Sequence, residues 1–204
     1  MKRFLIALLL IPCLLTGCAD NAEAPAAPSE PAVQENTSDT ASAELPAGAV
    51  DETNWDDIMF YKVSDIDQRE MRLGDIVGQN KVTMVNIWGT FCGPCIEEMP
   101  DIEALYKQYK GDGFGVVGLT CDISYNGDID KNTLKDALDI RSDIGITYPL
   151  LIETAELDQK FPTEYVPATF FLDKDGKVID DNYVGSQTKG DWEKAIKKNL
   201  DKVK

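Results

Sequence analysis

The stretch that most constrains this chain runs from residue 81 to residue 109. Lys81-Val82-Thr83-Met84-Val85-Asn86-Ile87 is almost continuously apolar and rich in β-branched residues, as expected of a strand covered on both faces. Trp88-Gly89-Thr90-Phe91-Cys92-Gly93-Pro94-Cys95 follows it, and then Ile96, Met99, Ile102, Leu105, Tyr106 and Tyr109 recur every three or four residues. That spacing predicts an amphipathic helix of about four turns. The two cysteines therefore fall where a buried strand hands over to a helix N-terminus, and Pro94 suits the first turn, where its missing N–H would be unpaired anyway.

The placement has a chemical consequence. Unpaired N–H groups and the helix dipole favour negative charge, so a cysteine at this point loses its proton more readily than a free thiol. Cys92, at the outer edge, is the expected nucleophile, and Cys95, one turn inside, the expected resolving thiol. Competing readings of C-x-x-C are weaker here. Zinc takes four ligands, and the chain has no histidine and only one other cysteine in its folded part, Cys121, so a monomeric site would have to draw on carboxylates. A c-type haem needs histidine after the second cysteine, where Ile96 stands. A purely structural disulfide fits the spacing, but the strand-then-helix context favours redox exchange.

W-G-T-F-C-G-P-C-I-E-E-M-P resembles the active-site segment of the thioredoxin superfamily, and more narrowly that of the TlpA/ResA-like group of membrane-tethered, extracytoplasmic thiol–disulfide oxidoreductases. Asn86 before the motif, Glu98-Met99-Pro100 after it, and Val166-Pro167-Ala168-Thr169-Phe170-Phe171-Leu172-Asp173 further on fit the same group. The resemblance spans roughly residues 58–204. It implies an α/β, thioredoxin-like fold: a central mixed sheet flanked by helices, an N-terminal β-hairpin, and an insertion before the strand that follows Pro167. It also implies a cis Val166–Pro167 bond facing the dithiol. Trp88, Phe91, Gly93, Pro94, Val166 and Pro167 would form the surface that meets substrate. No organic cofactor or metal is implied. The partners implied are disulfides of exported proteins and a CcdA- or DsbD-like membrane electron donor.

Cytoplasmic thioredoxins usually carry a proton-moving aspartate where this chain has Asn86, which cannot take a proton. Glu98, three residues after Cys95 and so on the same helix face, matches a glutamate of ResA-like proteins and is the expected proton acceptor or pKa modulator. A solvated surface carboxylate is the plainer alternative for Glu98, and Glu97 is expected at the surface. No P-x-x-x-T-x-x-C arrangement surrounds Cys92, which speaks against a peroxidase, and Cys121 reads as a buried free thiol.

The N-terminus carries Met1-Lys2-Arg3, then a mostly apolar run to Leu15, too short to span a bilayer comfortably. Leu15-Thr16-Gly17-Cys18 resembles a bacterial lipobox, so residues 1–17 are expected to be a lipoprotein signal peptide and Cys18 the lipidated residue; an ordinary signal peptide with a coincidental cysteine is the alternative. Residues 18–50 read as an acidic Ala/Pro linker with too little apolar surface to fold, and residues 51–204 as the thioredoxin-like domain. The expected location is extracytoplasmic: a lipid anchor on a bacterial membrane, at the outer face of the cytoplasmic membrane or in the periplasm. With 20 basic and 36 acidic residues and a net charge of −16, nucleic acid is not an expected partner.

Within the domain, 59–63 and 69–73 predict a hairpin around Asp65–Gln68, and 74–80 a connector. Further strands are expected at 114–120, 148–152 and 168–172, and helices near 134–144 and 155–160. Ser124–Asp130 reads as a polar loop. A hairpin turn at 173–176 leads into an edge strand at 177–179, and a closing helix carries Trp192 into the core. Gly93-Pro94 between the cysteines is the thioredoxin pair, and with the resemblance it leads us to expect a reductant of disulfides in exported proteins, with cytochrome c maturation one such role among relatives. Two further functions stand beside it: a disulfide oxidant or isomerase, and a peptide-binding module without redox turnover.

Overall fold

The computed structural model describes residues 58–204; the expected signal peptide (1–17), Cys18, the expected linker (18–50) and positions 51–57 of the expected domain lie outside the described residues. Strands β1 (Lys62–Ser64) and β2 (Glu70–Arg72) form the predicted hairpin. Helix α1 (Leu73–Val77) follows, then β3 (Val82–Trp88), α2 (Gly93–Tyr109) and β4 (Phe114–Thr120). A ribbon of β5 (Ser124–Tyr125) and β6 (Asp128–Ile129) leads to α3 (Lys131–Ile144) and β7 (Leu150–Ile152). Helix α4 (Ala155–Lys160), strands β8 (Ala168–Asp173) and β9 (Tyr183–Val184), and helix α5 (Lys189–Lys202) complete the chain.

The central sheet has the order β7-β4-β3-β8-β9, with β3, β4 and β7 parallel and β8 and β9 antiparallel to their neighbours. It is the mixed α/β architecture expected. β3 is central and buried along its whole length because both faces are covered. Val82, Met84 and Trp88 pack with Met99, Ile102 and Leu105 of α2 and Trp192 and Ile196 of α5. Val85 and Ile87 face the opposite layer, with Leu157 of α4, Phe161 and the hairpin's Val63. The β1–β2 hairpin covers the β7 edge, where Ile66 N–H donates to Leu150 C=O at 3.0 Å and Asp65 bridges Leu151.

Three local expectations are corrected. The 74–80 connector contains most of α1: Leu73 and Val77, one turn apart, bury the same face, and Gly74 lies so close to the Met59 carbonyl that a Cβ would stand 2.4 Å from its oxygen. The polar loop at 124–130 folds back as the β5–β6 ribbon. Asn126 (φ 52°) and Gly127 (φ 88°) supply the two left-handed residues that a tight hairpin turn requires. The arm at 177–179 makes a single bridge, Leu172 to Val178, and the edge is completed by Tyr183–Val184 instead. Between those two segments Asp180 accepts from Lys198, Asn199 and Lys202 of α5, which draws the chain away from the sheet.

Candidate active site

The site stands where β3 ends and α2 begins. Cys92 is the N-cap residue of α2, extended at φ −92° and ψ 94°, and its sulfur accepts from the Cys95 backbone N–H at 3.3 Å. Pro94 lies in the first helical turn, so no donor is wasted there. Cys92 and Cys95 are joined as a disulfide. The outer sulfur belongs to Cys92, 6% exposed, while Cys95 is fully buried. The Val166–Pro167 bond is cis, and the Val166 carbonyl oxygen lies 3.8 Å from the Cys92 sulfur. β8 brings it there by running antiparallel to β3, pairing Ile87 with Ala168.

Behind the disulfide, Glu98 is buried on the α2 face that carries Cys95. Its Oε1 accepts from Asn86 Nδ2 at 3.1 Å, and its Oε2 from the Gln187 backbone N–H at 3.0 Å and the Trp192 indole N–H at 3.1 Å. Asn86 Nδ2 also donates to Thr169 Oγ1 at 3.0 Å, two residues beyond the cis-proline. Burial pushes the Glu98 carboxyl above the ordinary glutamate range, and the donors from Gln187, Asn86 and Trp192 offset only part of it, being neutral. The loop in front of Cys92 is pinned from β4: Asp122 accepts from the Thr90 backbone N–H at 2.8 Å and from the Thr90 hydroxyl at 2.6 Å.

The structure thus brings Cys92, Cys95, Glu98, Gly93, Pro94, Val166 and Pro167 to one end of the sheet. Phe91 stands 72% exposed beside them, and a Cβ at Gly93 would meet nothing within 4 Å. Trp88 does not join that surface. Its position in β3 shares the α2-facing side with Met84 and Asn86, and its indole is fully buried, out of reach of a docked peptide. Glu97 is exposed, as expected. Cys121, just past β4, is half-buried; burial pushes its thiol up to about 12, with Glu153, Asp122 and Asp158 adding to the effect. Among the described residues no cluster of three metal-ligating side chains converges. Sequence reasoning missed Thr169, Gln187 and Trp192 as partners of this site, and Asp122 as its anchor.

A disulfide closing the first turn of a helix, opposite a cis-proline in this mixed sheet, defines a thioredoxin-like dithiol protein. The chain belongs to the AhpC/TSA family, whose profile matches residues 56–180. It is similar to the thiol-disulfide oxidoreductase ResA of Bacillus thuringiensis (strain Al Hakam), at 34% identity over 143 residues, 68% of this chain and 73% of that protein. ResA of Geobacillus thermodenitrificans (strain NG80-2) is 33% identical over 145 residues, 71% of this chain and 74% of the relative. Among solved structures, a thiol:disulfide interchange protein of Chlorobium tepidum TLS matches with a TM-score of 0.58 at 25% identity, covering 69% of this chain and 92% of that one. StoA from Bacillus subtilis shares the fold, with a TM-score of 0.52 at 17% identity over 66% of this chain and 93% of its own. The protein is a thiol–disulfide oxidoreductase of this type.

Proposed function

We propose that the protein works outside the cytoplasm as a reductant of disulfides in exported proteins, held to the membrane by a lipid on Cys18. The observation that carries the exchange reading is the asymmetry of the two sulfurs: Cys92, the outer one, caps the helix beside cis-Pro167, whereas Cys95 is fully buried one turn from Glu98. Gly93-Pro94 between them, the thioredoxin pair, leans the direction towards reduction.

The Cys92 thiolate attacks one sulfur of the substrate disulfide. That S–S bond breaks, the first substrate sulfur leaves as a thiolate and takes a proton, and a mixed disulfide forms against the Val166–Pro167 backbone. Cys95 then gives its proton to Glu98 and attacks the Cys92 sulfur. The second substrate sulfur leaves, and two electrons have passed from the dithiol to the substrate. Val166, Pro167, Phe91, Gly93 and Pro94 bound the groove in which the mixed disulfide sits. A membrane carrier of the CcdA or DsbD kind would return the electrons. The disulfide of an apocytochrome c, reduced before haem attachment, is one substrate compatible with the resemblance.

The reduction potential of Cys92–Cys95 against defined thiol/disulfide buffers tests the direction. A value near or below about −250 mV, in the range of thioredoxin, is expected; one above about −180 mV would make the protein an oxidant or isomerase. No exchange at all would leave a peptide-binding module. The anchor is tested separately: Cys18→Ala should abolish fatty-acid labelling and release the protein from membranes.

A further inference from the structure

Glu98 and Trp192 lie 94 positions apart, and nothing in their spacing relates them. In the fold, α5 packs along α2 and delivers the indole to the carboxylate behind the dithiol. The Trp192 side chain is 1% exposed and wedged between aromatic rings, with the Tyr183 centroid 5.5 Å away and the Phe171 centroid 6.5 Å away, so its N–H has a fixed direction. A carboxylate oxygen offers two lone-pair directions. At Glu98 Oε2 two N–H groups, from Trp192 and from the Gln187 backbone, account for both. Oε1 receives only Asn86 Nδ2, which leaves one direction open.

We propose that Trp192 is a positioning residue for the dithiol: its indole N–H locks Oε2 of Glu98 so that the proton released by Cys95 is received at Oε1. This rests on the reading of Glu98 as the proton acceptor. The step balances, since Cys95 loses one proton and becomes the attacking thiolate while Glu98 becomes a neutral acid. An indole N–H can only donate, so the tryptophan favours the charged carboxylate and has it ready before Cys95 must give up its proton.

The groups facing Glu98 are few. Asn86 from β3, Trp192 from α5 and the Gln187 amide before α5 are neutral donors. Cys95 lies on its own helix. Tyr148, ahead of β7, is buried and holds its proton tightly, through burial first and then the charges of Glu103 and Glu98. Glu103, a further turn along α2, is already paired with Lys107 at 2.8 Å and Thr147 at 2.6 Å.

The test uses the full chain in two forms: Trp192→Phe, and a semisynthetic protein with 3-benzothienylalanine at position 192, which keeps the bicyclic shape but carries no N–H. Two readouts are followed against pH. One is the carbon-13 carboxyl titration of Glu98. The other is the second phase of the reaction of the reduced protein with Ellman's disulfide, in which Cys95 displaces the reagent's second thiolate from Cys92. Loss of one hydrogen bond to a charged group should raise the Glu98 midpoint by about one pH unit or more. The second-phase profile should rise with it in both variants, while the first phase, set by Cys92, stays unchanged. A Glu98 titration unmoved in the benzothienyl protein, with a second phase still sensitive to Glu98→Gln, would overturn the role of Trp192 and leave that of Glu98 standing. A second phase indifferent to Glu98→Gln would overturn the proton-acceptor reading, and the role of Trp192 with it.

Discussion

Replacing Asp180 with asparagine should loosen the closing helix by an amount that depends on pH in a defined direction. The Asp180 side chain is 4% exposed and accepts from Lys198 at 2.7 Å, Lys202 at 2.9 Å, Tyr183 at 2.9 Å and Asn199 at 3.0 Å. Burial alone would raise its pKa, but these four donors outweigh it and hold the carboxyl well below the usual aspartate range. A hydrogen bond to a charged group contributes about 1.5–3 kcal/mol when shielded. Lys198 and Lys202 are 53% and 37% exposed, however, so solvent reduces each of theirs to about 0.5 kcal/mol. Asparagine keeps one accepting oxygen for Tyr183 or Asn199, and the net loss near neutral pH comes to about 2 kcal/mol. For a domain of this size that is a fall in Tm of about 4–8 °C. Because the folded pKa is depressed, the stabilisation is complete above the unfolded value of about 3.9 and is lost as pH falls through and below it. Urea unfolding of both proteins from pH 7 to pH 3 should therefore show a gap that is constant down to about pH 4 and narrows towards pH 3, closing only below the depressed folded pKa. A gap of equal size at every pH, or none at pH 7, would refute the assignment of charge to Asp180.

Glu153, at the end of β7, is pushed up to about 7 by burial and by Asp158, so it costs stability as pH rises from the ordinary glutamate value through 7. Glu153→Gln should accordingly raise Tm at pH 8 and leave it unchanged near pH 4, which a thermal melt at each pH will show. With its thiol near 12, Cys121 should alkylate with iodoacetamide at pH 8 about a thousandfold more slowly than a free cysteine; a rate near the free value would refute its burial. Cys95→Ser should stall turnover at a mixed disulfide on Cys92 that mass spectrometry detects, whereas Cys92→Ser should form none. Gly118→Ala would place a Cβ 2.4 Å from Leu150 Cδ2 and 3.3 Å from Trp88 Nε1, overpacking the core by about 1–3 kcal/mol, measurable by urea unfolding.

Strands β3, β4 and β8 were legible because each is a mostly apolar run, interrupted by Asn86 in β3 and by Gly115 and Gly118 in β4, and α2 because its buried positions repeat at helical spacing. Helix α1 was not, since Gly74 reads as a breaker until the Met59 carbonyl is seen to need that space. The β5–β6 ribbon had a signal in Asn126-Gly127, but strands of two residues carry no periodicity to support it. Motif membership placed Cys92, Cys95 and Pro167, but it says nothing about side-chain direction, and so Trp88 was assigned to the surface while its position in β3 points it inward. Gln187 and Trp192 reach Glu98 only through the docking of α5, a tertiary event with no local pattern.

That the reactive sulfur is also the N-cap of a 17-residue helix turns electron affinity into a question of helix stability. In the disulfide, and in a mixed disulfide, Cys92 caps α2 with a neutral atom; in the dithiol, once the thiol has released its proton, it does so with an anion. An anion at a helix N-terminus is worth about 0.3–1 kcal/mol, which corresponds to about 6–20 mV for a two-electron couple. The helix thus acts as a spring tensioned by oxidation and relaxed by reduction. Substitutions within the first turn of α2 that strengthen or fray it would retune the potential without replacing either cysteine.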